Sequence, residues 1–150
     1  MHDVYRSSDL LGSAETGVLA VHCSDPRYQP HFQEFLRQGL GVEHYALIAV
    51  PGGAQFLTLM DYLPKFAWAG WRWLKFMADV VAVQRIILIA HDDCRWYQDM
   101  RFGLHSANLG ERQAADLVRV RAACQERFRN ARVDLYYARL EGQRVVFASL

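Results

Sequence analysis

Arg85-Ile86-Ile87-Leu88-Ile89-Ala90-His91-Asp92-Asp93-Cys94 decides the reading of this chain. The unbroken apolar run from Ile86 to Ala90, rich in isoleucine, is too short for a helix of ordinary length and predicts a strand buried on both faces. Asp92 and Asp93 end it. The strand therefore delivers His91 at its carboxyl end, and Cys94 follows at a spacing that brings the two side chains together if the turn leads into a helix.

Working outward, Gly17-Val18-Leu19-Ala20-Val21-His22-Cys23 is a second apolar run, closed by Ser24-Asp25-Pro26, and reads as a buried strand followed by a turn. Pro30 to Leu40 places Phe32, Phe35, Leu36 and Leu40 at helical spacing, with Gly39 and Gly41 as a stop. Tyr45 to Val50 is a further strand, and Pro51-Gly52-Gly53 is its loop. From about Tyr62 to Ala82 the apolar residues Phe66, Ala69, Trp73, Phe76, Met77 and Val80 predict a long helix with Pro64 in its first turn, buried or facing another subunit. Gly110 to Asn130 predicts an amphipathic helix, with Cys124 on its core face. Val133 to Leu140 and Arg144 to Leu150 form a hairpin around Glu141-Gly142.

This alternation predicts an α/β fold: a mostly parallel, doubly wound sheet in the order 2-1-3-4 with an antiparallel edge strand and helices on both faces. Residues 1–150 form one domain, and residues 1–16 a short amino-terminal arm. In that topology the first and third strands are neighbours where the winding reverses, and ligands bind outside their carboxyl ends. Cys23 and His91 end those two strands. With Cys94 they make a Cys2His set, the nitrogen and thiolate chemistry that Zn2+ favours, with one position left open for water or for the carboxylate of Asp25. His22 alternates with Cys23 and belongs to the other face of the sheet.

Composition narrows the function classes. A formal net charge of +1 and acidic residues interspersed among the arginines leave no nucleic-acid footprint. The greasiest stretch, Phe56 to Val83, is broken by Asp61, Pro64, Lys65, Arg72, Lys75 and Asp79, which excludes a membrane span. Asp3, Arg6, Asp9 and Glu15 interrupt the amino terminus, which does not read as a signal peptide, and the expected location is cytoplasmic. Three cysteines there argue for metal binding or burial over disulfides. No nucleotide or flavin motif is present.

Cys23-Ser24-Asp25-Pro26-Arg27 fits a Cys-x-Asp-x-Arg motif and His91-Asp92-Asp93-Cys94 a His-x-x-Cys motif, and in these the chain resembles the β-class carbonic anhydrases. The resemblance implies a lyase that hydrates carbon dioxide to bicarbonate by zinc-hydroxide attack. It implies Zn2+ on Cys23, His91 and Cys94, with Asp25 and Arg27 as the catalytic dyad that orients the zinc-bound water. Asp25 is also a candidate fourth ligand that would close the site. A homodimer or higher homo-oligomer is implied, joined partly by a helical amino-terminal arm. The motif match breaks in two places. Arg95, Trp96 and Tyr97 follow Cys94 where the family has a small glycine, and Val50-Pro51-Gly52-Gly53 replaces Arg-Asn-Ala-Gly. These changes motivate two alternatives: another small electrophile such as carbonyl sulfide or carbon disulfide, or a zinc-binding protein without catalysis.

Overall fold

Short apolar runs at the strand positions build a central sheet in the computed structural model, which describes residues 2, 4–8, 10–58, 64–99 and 108–150. In chain order the elements are β1 (Val18–Cys23), α1 (Gln29–Glu34), a π-helical turn (Phe35–Gly39), β2 (Ala46–Val50) and a 3-10 turn (Gly53–Leu57). They continue with α2 (Pro64–Val80), β3 (Arg85–His91), α3 (Arg95–Gln98), α4 (Leu109–Arg127), β4 (Arg132–Glu141) and β5 (Arg144–Ser149). The sheet order is β2-β1-β3-β4-β5, parallel except for the β4–β5 pair. This is the predicted doubly wound sheet with its antiparallel edge.

The alternation of side chains across the strands divides the core in two. Leu19, Val21, Ile86 and Leu88 face one way and pack under α2, α4 and the 3-10 turn, where Cys124 is fully buried. Burial in that apolar layer pushes the Cys124 thiol up to about 12. Ala20, Ile87 and Ile89 face the other way onto Phe32 and Leu36, with Phe147 of β5 closing the side. His22 lies on this second face, its ring 4.5 Å from that of Phe32. Asn108 starts α4 by accepting a hydrogen bond from the Glu111 backbone N–H, which leaves that helix well seated behind the site.

Of the two placements expected for the long helix, burial of its aromatic face does not hold, and one further expectation needs correction. Helix α2 turns inward the small residues Ala67, Gly70 and Ala78 together with Leu74, while Phe66, Trp68, Trp73 and Phe76 are more than half exposed. The reason is a close approach: a Cβ on Gly70 would stand 2.2 Å from two ring carbons of Phe56, so only a small-residue face can sit on the 3-10 turn. The predicted aromatic stripe has the right period and points outward. The amino-terminal arm, expected to be helical, has no helix or strand among its described residues. Tyr62, Leu63 and His105 lie outside the described residues, and with them the expected start of the long helix at about Tyr62. No helix among the described residues is long and apolar enough to cross a membrane.

Candidate metal centre

β1 and β3 are adjacent and parallel, with His22 paired to Ile89, so both strands end at the same edge of the sheet. Cys23 is the last residue of β1 and His91 the last of β3. After His91 the chain turns through Asp93, which takes a left-handed φ of 53°, and Cys94 follows in extended conformation as the residue that opens α3. Aspartate tolerates this backbone region better than most residues. The turn carries the Cys94 sulfur back toward the strand ends.

The donor atoms of Cys23, His91 and Cys94 all lie within 4.8 Å of one another, and all three residues are buried. The two sulfurs are 3.8 Å apart. The contact shifts both thiols: Cys23 is held below its usual range, chiefly by the hydrogen bond from Cys94, while the same bond pushes Cys94 up. His91 Nδ1–H donates to the Asp92 carbonyl at 2.7 Å, which fixes the tautomer and leaves Nε2 as the free lone pair. That Nε2 is buried and has no hydrogen-bond partner. A buried polar atom left without a partner costs on the order of 1–3 kcal/mol, so the position calls for something to coordinate it. The cluster could hold a metal ion.

Asp25 is absent from this cluster, its carboxylate turned to Arg27. Arg27 Nε donates to Asp25 Oδ1 at 3.0 Å and Nη2 to Oδ2 at 2.7 Å, and the Arg27 backbone N–H adds a third bond at 3.0 Å. These bonds hold the Asp25 carboxyl down at about 2. Arg27 also bridges to Asp93, through Nη1 to Oδ2 at 2.7 Å and Nη2 to the carbonyl at 3.0 Å, and Gln98 supports Asp93 from behind. A cleft of about 350 Å³ opens beside Cys23, walled by Asp25, Arg27, Pro51, Arg95 and Trp96.

The structure thus brings the three predicted ligands together in one buried cluster, and the Asp25–Arg27 pair shares with Cys23 the wall of the adjoining cleft. Arg95 and Trp96 line the cleft as expected. Tyr97 lies behind it, its ring buried against Cys23 and Cys94 and its hydroxyl donating to Asp116 at 2.9 Å. Several contributors carried no sequence signal. Gln113 of α4 accepts from the His91 backbone N–H at 3.3 Å and donates to its carbonyl at 2.9 Å, clamping the end of β3. Asp92 accepts from the Tyr137 hydroxyl and the Leu140 backbone N–H, pinning the turn to β4. Gly52 donates its backbone N–H to the Cys23 sulfur at 3.4 Å.

No protein-family model matches the sequence, and no curated protein matches it. The fold does match solved structures. A carbonic anhydrase from Glaciozyma antarctica superposes with a TM-score of 0.55 at 16% identity, covering 93% of this chain and 86% of that one. A β-carbonic anhydrase from Trichomonas vaginalis superposes with a TM-score of 0.56 at 14% identity, covering 95% of this chain and 87% of that one. A carbon disulfide hydrolase in its apo form overlaps less well, with a TM-score of 0.45. At these identities the likeness is one of fold.

Proposed function

We propose that this chain is a zinc-dependent carbonic anhydrase that hydrates carbon dioxide to bicarbonate. The observation that carries the reading is the convergence of Cys23, Cys94 and the orphaned Nε2 of His91 at the ends of two adjoining strands. Two thiolates each ~2.3 Å from a tetrahedral zinc stand about 3.8 Å apart, the separation found here between the sulfurs. The donor set fits the metal. Zinc held by Cys23, His91 and Cys94 would lower the pKa of water at its open position to about 7, so that hydroxide is available near neutral pH to attack carbon dioxide.

The chain's own residues supply the rest. The His91 Nδ1–H bond to the Asp92 carbonyl presents Nε2 to the metal and fixes the ring. Asp25, kept ionised by Arg27, accepts the proton of the reacting water in a hydrogen bond and aims its lone pair into the cleft. Arg27, tied to Asp93 on its far side, holds Asp25 off the metal. Were Arg27 to release it, Asp25 would be a candidate fourth ligand that closes the site. The exposed Phe66, Trp68, Trp73 and Phe76 face of α2 supports a homodimer or higher homo-oligomer.

Zinc analysis and stopped-flow carbon dioxide hydration on the purified protein test this directly. One zinc per chain, and a rate abolished in Cys94→Ser and sharply reduced in Asp25→Asn, are the expected results. Full hydration by metal-free Cys94→Ser would overturn the reading. The bulky Arg95 and Trp96 at the cleft favour one second reading, turnover of carbonyl sulfide or carbon disulfide, which zinc binding with no carbon dioxide hydration would bring forward.

A further inference from the structure

The two places where the motif match breaks, Pro51-Gly52-Gly53 and Arg95-Trp96, meet at a single contact. Gly52 turns the chain with φ of 76°, and a Cβ added there would stand 2.2 Å from Cδ1 and 2.8 Å from Nε1 of the Trp96 indole. No side chain fits between them. The Trp96 Nε1–H donates to Gln55 Oε1 at 2.6 Å, and Gln55 is almost completely buried. The Gln55 backbone N–H donates in turn to the Gly52 carbonyl at 3.3 Å, and the Gly52 N–H reaches the Cys23 sulfur at 3.4 Å. A continuous path of contacts therefore runs from α3, which Cys94 opens, across the indole to the 3-10 turn and back to the other cysteine.

A loop turn with two successive left-handed glycines is free to move unless something pins it. Below, Gly53 lies against β1, where a Cβ would meet the Cys23 backbone nitrogen at 3.0 Å. Above, the indole is the cover. An N–H aimed at a thiolate withdraws charge from the sulfur and orients its lone pairs, and outer partners of this kind are worth roughly 10–100-fold in metal affinity. Resting on the reading that Cys23 ligates zinc, we propose that Trp96 is a positioning residue for the metal centre. Its indole, anchored on Gln55, clamps the Gly52 turn and holds the Gly52 N–H on the Cys23 sulfur.

The test is zinc affinity, by competition with a chromophoric chelator, together with the sulfur-to-metal charge-transfer band of the cobalt(II)-substituted protein. Trp96→Gly removes the clamp, and Trp96→Phe keeps a ring while deleting the anchor; circular dichroism confirms that each folds. Zinc affinity is expected to fall about 10-fold or more in Trp96→Gly and by less in Trp96→Phe, with the cobalt band displaced in both. Gly52→Ala supplies a second reading through a cycle. Left-handed strain is common to both backgrounds, so the substitution should cost more affinity in the wild type than in Trp96→Gly. Unchanged affinity and an unmoved band in both tryptophan variants, or equal costs of Gly52→Ala in the two backgrounds, would overturn the clamp while leaving the metal centre intact. A wild-type chain that binds neither zinc nor cobalt overturns the metal reading and the clamp with it. Variant effects on affinity without carbon dioxide hydration would uphold the clamp and count only against the catalytic reading.

Discussion

Replacing Arg27 with methionine keeps an unbranched apolar stem and removes every bond its guanidinium makes. Asp25 loses the donors at 3.0 and 2.7 Å, and Asp93 loses those at 2.7 and 3.0 Å. Against an ordinary aspartate near 3.9, a carboxyl held at about 2 carries roughly 2.5 kcal/mol of stabilisation. Two effects reduce that figure. The Arg27 side chain is 43% exposed and water screens it, and the backbone N–H of residue 27 still donates to Asp25 after substitution. A loss of about 1 kcal/mol near neutral pH remains. Because the Asp25 pKa is depressed, its stabilisation is fully present above the unfolded value and is lost as pH falls through the folded one. The gap between wild type and Arg27→Met should therefore be widest near neutral pH and close between about pH 4 and pH 2. Urea unfolding of both proteins in chelator, at neutral and acidic pH, measures it without a metal contribution. A gap that persists undiminished in acid would show that the loss comes from packing and not from the ion pair. On zinc-loaded protein the hydration rate should fall by about 10-fold or more, as Asp25 is freed to leave its orienting position. Full rate in Arg27→Met would refute the role given to the pair.

Gln113→Leu, close in volume, strips the His91 backbone of both its side-chain partners, and should lower stability by about 2 kcal/mol, read as a fall of about 4–8 °C in the thermal midpoint. The same variant should weaken zinc binding in the chelator competition, since the end of β3 carries the imidazole. Gly70→Ala places a Cβ 2.2 Å from two Phe56 ring carbons and should cost about 1–3 kcal/mol in urea unfolding, whereas a neutral result would mean that α2 can slide on the 3-10 turn.

The parts of this chain that a sequence reading recovers are those whose physics is local. β3 is legible because an isoleucine-rich run bounded by charge has few alternatives, and its predicted bounds coincide with the observed Arg85–His91. Cys23 and His91 are legible as partners because strand ends next to a switch point are brought together by topology alone. The inward face of α2 was not legible, since it depends on how closely the 3-10 turn approaches. Periodicity marks which residues share a face, but large aromatics dominate the pattern even when close packing admits only Ala67, Gly70 and Ala78. The helix expected over Pro30–Leu40 likewise gives way after Glu34 to a π-helical turn. Gln113 was invisible for another reason. Its partners are backbone atoms of a residue far off in sequence, and no spacing rule connects them.

The same distinction separates what places the Cys23, His91 and Cys94 cluster from what places the walls of the cleft beside it. Cys23, His91 and Cys94 are placed by strand ends and one tight turn, so their convergence follows from the sheet register and from Asp93, and the Gly52 loop then adds its N–H to the Cys23 sulfur. The cleft walls are placed by side-chain packing between loops, and there a change on one side requires a change on the other. An indole at position 96 demands a residue without a Cβ at position 52, and the contact between Gly52 and Trp96 meets that demand. Substitutions in the wall therefore alter what enters the cleft and how tightly the turn is held. The Cys23, His91 and Cys94 cluster itself can remain untouched, provided the Gly52 N–H still finds the Cys23 sulfur.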